Sequence, residues 1–139
     1  MIVVLDASTA ICWQIKQEQT ERALRLRARD RLATFVVPSV YPCEVSQAIL
    51  KATRRREITE ADAFNAIRNL AIEIPSRVEG APDGQSTLAL AHFAFRWSLS
   101  MNDAAYVELA LRLRAEFWTV DEPCRENAKR AGVNAPDSR

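Results

Sequence analysis

Short apolar runs alternate with amphipathic stretches along the whole chain. The apolar, partly β-branched runs predict four short buried strands, at residues 2–5, 35–37, 72–74 and 117–120. The stretches between them have apolar residues at helical spacing and predict helices at about residues 8–13, 17–31, 40–56, 60–70, 85–97 and 102–115. A last helix is expected from Asp121 to about residue 131. Strands that alternate with helices in this way predict an α/β layer fold with a mainly parallel sheet.

Local signals agree with several of these boundaries. Pro42 falls in the first turn of the helix after the second strand, where its missing N–H costs little. Thr59 and Asp62 have the spacing of a capping box, and residues 79–84 hold two of the three glycines and predict a loop. We expect one domain over residues 1–133 and a flexible tail over residues 134–139.

Composition narrows the class of protein. The 139 residues are 48% hydrophobic and 27% charged, which is ordinary for a globular domain and unlike a disordered chain. Three glycines and one histidine exclude Gly-rich phosphate loops and His-rich zinc sites. A net charge of +1 gives no overall basic field. Three scattered cysteines, no signal peptide and no membrane-length apolar run predict a soluble cytoplasmic protein.

Four acidic residues lie at the ends of predicted strands or in the first turns of predicted helices. Asp6 closes the first strand and Asp121 follows the fourth, while Asp103 opens the helix before it and Glu44 lies in the first turn of another helix. In an open α/β sheet, the carboxyl ends of the strands and the following helix starts share one rim. Each aspartate alone has a second interpretation as a helix cap. Together, the acids indicate a site for a hard divalent cation such as Mg²⁺ or Mn²⁺.

Four segments carry a family resemblance: VVLDASTAI, VPSVYPCEVSQAIL, SMNDAAYVELA and WTVDEPCRENAKRAG. In this order they resemble the PIN domain, and more narrowly the VapC ribonuclease toxins of bacterial toxin–antitoxin pairs. The resemblance implies a three-layer α/β/α sandwich with a short, mainly parallel central sheet. It also implies a set of catalytic, metal-binding acids and two supporting hydroxyl residues: Asp6, Glu44, Asp103 and Asp121, with Ser8 and Thr119. Gln47 and Asn102 depart from residues that are frequent in the family.

The activity implied by the resemblance is metal-dependent endonucleolytic cleavage of RNA, with Mg²⁺ or Mn²⁺ as cofactor, by the toxin of a type II pair. Such cleavage leaves a 5′-phosphate and a 3′-hydroxyl. The family also implies a cognate VapB-like antitoxin, expected in apolar grooves of the helices at residues 17–31 and 40–56. A homodimer is implied as well, with residues 88–97 as a candidate contributor.

A basic cluster gives a candidate RNA contact. Lys51, Arg54 and Arg55 end the helix that carries Glu44, and Arg55 lies three turns beyond that acid, at a similar angle and roughly 16 Å along the axis. A phosphate backbone entering the acidic site could follow this face. The alternative is an ordinary solvated helix end.

Three other functions compete with the nuclease. A PIN-like scaffold without activity would act as a binding module, and metal titration would distinguish it. A phosphoacceptor receiver-like domain would need an aspartate after the third strand and a lysine after the fifth, which the pattern does not offer. A structure-specific DNA nuclease generally needs insertions for which this chain has no room.

Overall fold

The computed structural model describes residues 1–80 and 87–139. In chain order the elements are β1 (Ile2–Leu5), α1 (Ala7–Gln14), α2 (Thr20–Arg29), β2 (Thr34–Val37), α3 (Tyr41–Arg54), α4 (Glu60–Ile72), β3 (Ser76–Val78), α5 (Thr87–Trp97), α6 (Met101–Leu113), β4 (Glu116–Trp118) and α7 (Glu122–Arg130). No helix within these two ranges is both long enough and apolar enough to cross a membrane.

The four strands form one parallel sheet in the order β3-β2-β1-β4. β1 lies between two neighbours, with Val4 opposite Val36 on one side and Phe117 on the other. Its residues Val3, Val4 and Leu5 are fully buried. A strand covered on both faces has to be apolar throughout, which explains the unbroken run at the start of the sequence.

The helix contacts fall into two groups that flank the sheet. Helices α1 to α4 pack mainly on one another, and α5 packs on α6 and α7. This arrangement confirms the predicted α/β/α fold with a short parallel sheet. It leaves the carboxyl end of β1 and the start of α1 at one rim, together with the ends of β2 and β4.

The third strand is not where the sequence pattern predicts it. Ile72 is the last residue of α4 and is largely exposed, and the strand is Ser76–Val78, on the other side of Pro75. β3 is an edge strand that pairs with β2 through Ser76 opposite Phe35. An edge strand is paired on one side only, and the faces of β3 are partly solvated. Such a strand needs no continuous apolar run, so the apolar pattern of the sequence predicted β3 at the wrong residues.

Other predicted boundaries shift by a few residues. α2 begins at Thr20 and ends at Arg29 instead of spanning residues 17–31, and β4 is Glu116–Trp118 instead of residues 117–120. The predicted loop at residues 79–84 and the start of the helix at 85 lie largely outside the described residues. The capping box is present: Asp62 N donates to Thr59 Oγ1 and Thr59 N donates to Asp62 Oδ2, both at 3.1 Å.

The segment 134–139 makes specific contacts that the sequence did not predict. Phe117 N donates to Asn134 O at 2.9 Å, beside the sheet. The buried Arg125 donates to Ala135 O at 3.1 Å, and Arg22 Nε donates to Ser138 Oγ at 3.2 Å. Its partners come from α2, β4 and α7, so a pattern read within the last residues of the chain could not reveal them.

Candidate acidic active site

Asp6 lies at the centre of the site and does not act as a helix cap. It precedes α1, but its side chain accepts no capping hydrogen bond from that helix. Instead, Asp6 Oδ2 accepts from Ser8 Oγ at 2.8 Å and from Thr119 Oγ1 at 2.6 Å. The residue is only 6% exposed. A buried carboxylate that leaves its helix uncapped is held for another purpose, so the helix-cap interpretation is wrong for Asp6.

The pairing of β1 with β4 brings Asp6 and Thr119 together. Asp6 N donates to Trp118 O at 3.1 Å, which extends the ladder by one residue. Thr119 is 1% exposed, and its hydroxyl oxygen also accepts from Asp121 N at 3.1 Å. One threonine hydroxyl therefore connects the first acid to the backbone of the last.

The electrostatics of the site favour a proton or a cation. Burial raises the pKa of Asp6 from 3.8 to about 6, and the charges of Asp103 and Glu44 raise it further, against the lowering effect of the Thr119 and Ser8 hydroxyls. Asp103 and Glu44 are therefore both close enough for their charges to act on Asp6. Like charges this close remain ionised only when a positive charge offsets their repulsion.

Asp103 and Asp121 form the other side of the cluster. The N-cap of α6 is Ser100, whose hydroxyl accepts from Asp103 N at 3.1 Å, so the Asp103 carboxylate is not needed as a cap. Burial raises the pKa of Asp103, and the Asp121 charge raises it further. Asp121 does cap α7, through Oδ1 and Cys124 N at 3.0 Å. This acid therefore combines a structural role with its position in the cluster.

Glu44 reaches the site from the first turn of α3. Asn102 Nδ2 donates to its Oε2 at 3.5 Å, which gives a local role to one of the two residues that depart from the family pattern. The other oxygen, Glu44 Oε1, is buried and has no hydrogen-bond partner among the described residues. An unpartnered, buried carboxylate oxygen is costly unless something positive or a donor meets it.

The four acids fit a hydrated hard cation better than a site with many direct protein ligands. In the part of the chain that the structure describes, no three Asp, Glu, His or Cys side chains are arranged so that they could hold a metal ion. Mg²⁺ commonly keeps several waters and takes only one or two carboxylates directly. The all-oxygen donors and the raised pKa of Asp6 suit such an ion.

Two buried tyrosines also belong to these surroundings, and sequence reasoning missed both. Tyr41 and Tyr106 are buried, and neither hydroxyl has a hydrogen-bond partner within the described ranges. For Tyr106, the spacing in the sequence could have indicated its place. It follows Asp103 by three residues and therefore lies on the same side of α6.

The basic cluster is at the far end of the helix that carries Glu44. Lys51 and Arg54 lie in the last turn of α3, and Arg55 is its C-cap. All three are exposed, and none forms an ion pair with the residues described. They do not join the acids, and their charges are free for an external anion.

A cleft of about 480 Å³ opens beside the acids, between the starts of α1 and α7. Ser8 and Asp121 belong to its wall, together with Gln17, Gln19 and Arg22. Asp121 and Ser8, the hydroxyl partner of Asp6, therefore border a cleft that is open to solvent.

Comparisons with known proteins agree with this geometry. No protein-family model matches the chain. It is 28% identical over 131 residues to Ribonuclease VapC3 of Pyrobaculum aerophilum, covering 91% of this chain and 94% of the relative.

The fold of the chain is similar to that of VapBC-1 from nontypeable Haemophilus influenzae, with a TM-score of 0.64 and 18% identity over 99% of this chain and 98% of that chain. It is also similar to Mycobacterium tuberculosis VapC20, a toxin that cleaves the sarcin–ricin loop, with a TM-score of 0.64 and 16% identity over 97% and 98% of the two chains. The chain is therefore similar in sequence to a VapC ribonuclease and in fold to solved VapC structures, in agreement with the resemblance of its four sequence segments.

Proposed function

We propose that the chain is a Mg²⁺- or Mn²⁺-dependent endoribonuclease and the toxin of a type II toxin–antitoxin pair. The observation that carries the proposal is the setting of Asp6: a buried carboxylate held by two hydroxyls, not used as a cap, with other acids in electrostatic range. The relative named Ribonuclease VapC3 and the toxin that cleaves the sarcin–ricin loop support RNA as the substrate.

Each acid has a distinct role in the proposal. Asp6 and Asp103 bind the ion directly, while Glu44 and Asp121 complete its surroundings. A divalent ion at this place lowers the pKa of a water molecule and neutralises charge on the scissile phosphate. Ser8 and Thr119 keep the Asp6 carboxylate in one orientation through their hydrogen bonds. His92, the single histidine, is exposed on α5, so the proposal assigns it no acid–base role.

RNA reaches the acids along α3 in this proposal. The exposed cations Lys51, Arg54 and Arg55 attract the phosphate backbone, and the guanidinium groups suit bidentate phosphate contacts. The acids alone would repel RNA, so a cationic approach on the same helix gives the substrate a favourable path.

A VapB-like antitoxin is the proposed protein partner. The similar structure from nontypeable Haemophilus influenzae is named VapBC-1, for VapB together with VapC, which supports a VapB-like partner for this chain. An apolar groove of about 360 Å³ between α3, α4 and β3 supplies a surface, lined by Tyr41, Val45, Ile67, Leu70 and Val78 among others. This groove includes one of the two helices in which the sequence predicts docking.

A homodimer and a cytoplasmic location complete the proposal. Within the predicted contributor at residues 88–97, Leu88 is 66% exposed and Phe95 is 87% exposed. Large apolar side chains this exposed on one helix are suited to burial against a second copy.

Cleavage of a mixed RNA pool by purified, antitoxin-free protein tests the proposed function. Reactions contain Mn²⁺, Mg²⁺ or EDTA, and the variants are Asp6→Asn and Asp103→Asn, with Glu18→Gln as a control at an exposed acid. We expect metal-dependent cleavage that both site variants lose and the control keeps. Wild-type cleavage by the two site variants would contradict the assigned site. Metal binding without any cleavage would favour the inactive binding module or a narrow substrate.

A further inference from the structure

We infer that Tyr106 is a positioning residue for Glu44: its hydroxyl donates to one oxygen of the carboxylate and directs the other toward the divalent ion. The inference rests on the proposed function, because it concerns the same ion. It adds a residue from α6 to a site otherwise described by its acids and their short hydroxyl partners.

The placement of Tyr106 calls for a partner that its own surroundings do not supply. The residue is fully buried, and its ring packs on Phe117 with the centroids 6.1 Å apart. Its hydroxyl is buried too, and no described residue completes a hydrogen bond with it. A phenol inside a domain normally has a partner, and leaving it without one costs free energy.

Glu44 has a carboxylate oxygen without a hydrogen-bond donor among the described residues, just as the Tyr106 hydroxyl has no partner there. Its Oε1 is buried without a partner in the described part of the chain, and its Oε2 has only the long 3.5 Å bond from Asn102. A phenol is a donor and a carboxylate is an acceptor, so each unpartnered atom supplies what the other lacks. Glu44 comes from α3 and Tyr106 from α6.

The bond from Asn102 brings the first turn of α6 beside Glu44, and Tyr106 lies one turn beyond Asn102 on that helix. Burial raises the pKa of the Tyr106 hydroxyl, and the Asp6 charge raises it further. Glu44 adds to the rise both as a charge and as a hydrogen-bond acceptor, although the bond does not reach full geometry. The Ala7 backbone acts in the opposite direction and lowers the pKa of the hydroxyl. No hydrogen bond between Tyr106 and Glu44 is closed in the metal-free protein.

Partners of metal-binding carboxylates tune the metal site through orientation. A carboxylate held by a donor on one oxygen presents the other at a fixed angle, and loss of such a partner typically costs 10- to 100-fold in metal affinity or activity. Asp6 is already fixed in this way by Ser8 and Thr119. Tyr106 and Asn102 fix the orientation of the Glu44 carboxylate in the same way.

Tyr106→Phe tests the inference, because it removes one oxygen and keeps the ring. Mn²⁺ affinity is measured by titration of the full chain, and thermal unfolding is measured in EDTA. We expect a loss of at least about 10-fold in Mn²⁺ affinity with no fall in the midpoint in EDTA, since the hydroxyl has no partner in the metal-free protein. Excess Mn²⁺ should restore RNA cleavage by the variant.

Thr53→Val is the control, because it also removes one hydroxyl. Thr53 lies near the far end of α3, and its hydroxyl donates to Ile49 O at 2.9 Å, not to an acid. We expect Thr53→Val to bind Mn²⁺ like the wild type. Equal Mn²⁺ affinity for Tyr106→Phe and the wild type would overturn the inference and leave the proposed function standing. Equal weakening in both variants, with lower midpoints in EDTA, would overturn it in favour of a general packing effect. A wild-type protein that binds no Mn²⁺ or Mg²⁺ would overturn the proposed metal dependence and this inference together.

Discussion

Thr119 and Asp6 are 113 residues apart in the chain, and their side chains form a buried hydrogen bond of 2.6 Å. The two residues follow β4 and β1, which are neighbours in the parallel sheet. The same hydroxyl accepts from Asp121 N, so its position depends on both ends of the acid cluster. A single small side chain thus couples the sheet to the orientation of the central acid.

Thr119→Val is expected to weaken metal binding and RNA cleavage about 10-fold or more, because it keeps the volume of the side chain and removes the donor to Asp6. It should also raise the pKa of Asp6, since the Thr119 hydrogen bond lowers it. Metal titration and initial rates of cleavage measure the effect. Thr34→Val makes the same change at an exposed residue at the start of β2 and should leave both quantities unchanged.

The metal-free protein should lose stability as the pH rises from about 4 to about 6. The pKa of Asp6 is raised by burial from 3.8 to about 6, so within this window the folded protein binds more protons than the unfolded chain. The free energy of unfolding therefore falls with rising pH, by about 2–3 kcal/mol for this group. Burial also raises the pKa of Asp103, which acts in the same direction.

Asp6→Asn should remove most of this fall in the free energy of unfolding with pH. It should also stabilise the metal-free protein at neutral pH by about 2 kcal/mol. Urea unfolding in EDTA between pH 4 and pH 8 measures it, with the exposed Glu18→Gln as control. Glu122, whose pKa is lowered from 4.5 to about 2, acts in the opposite direction in both proteins, so the comparison with Asp6→Asn isolates the contribution of Asp6. The interpretation fails if Asp6→Asn retains the wild-type dependence on pH.

The basic end of α3 should contribute to the salt dependence of RNA binding. Replacing Lys51, Arg54 and Arg55 by glutamine should lower the slope of log affinity against log salt by about 2 for single-stranded RNA, if each contacts one phosphate. Binding to the Asp6→Asn protein, measured without cleavage at several salt concentrations, gives the slope.

A control for net charge removes Arg31, Lys129 and Arg130, which are exposed away from α3. An equal loss of slope in this control would assign the effect to overall charge and contradict a specific RNA path along α3.

Arg125 should hold the C-terminal segment in place. It is 4% exposed and donates to Glu122, to Glu126 and to Ala135 O. Arg125→Met should lower the free energy of unfolding by about 2 kcal/mol, because it leaves these acceptors without their donor. It should also make residues 134–139 accessible to carboxypeptidase. Arg130→Met, at an exposed residue one turn further along α7, should change neither property.

The sequence by itself located three of the four strands, β1, β2 and β4, and predicted the rim on which the acids lie. β1 is predicted with its exact bounds because a strand buried on both sides must be apolar at every residue. Asp6 and Asp121 follow strands, and Glu44 and Asp103 lie in first turns of helices. Parallel strands place their carboxyl ends at one edge, so these local signals are enough to predict that the acids share that edge.

Only the tertiary structure decided which acids serve as caps and which partners hold them. Asp121 caps α7 and Asp6 caps nothing, although the sequence allows both to do so. The Thr119 bond to Asp6, the approach of Asn102 and Tyr106 to Glu44, and the contacts of residues 134–139 all join remote parts of the chain. Hydrophobic periodicity indicates which face of a helix or strand is buried, and it is a property of a short stretch of sequence. The partner that a buried hydroxyl or carboxylate meets depends on which elements become neighbours, and the folded chain alone fixes that.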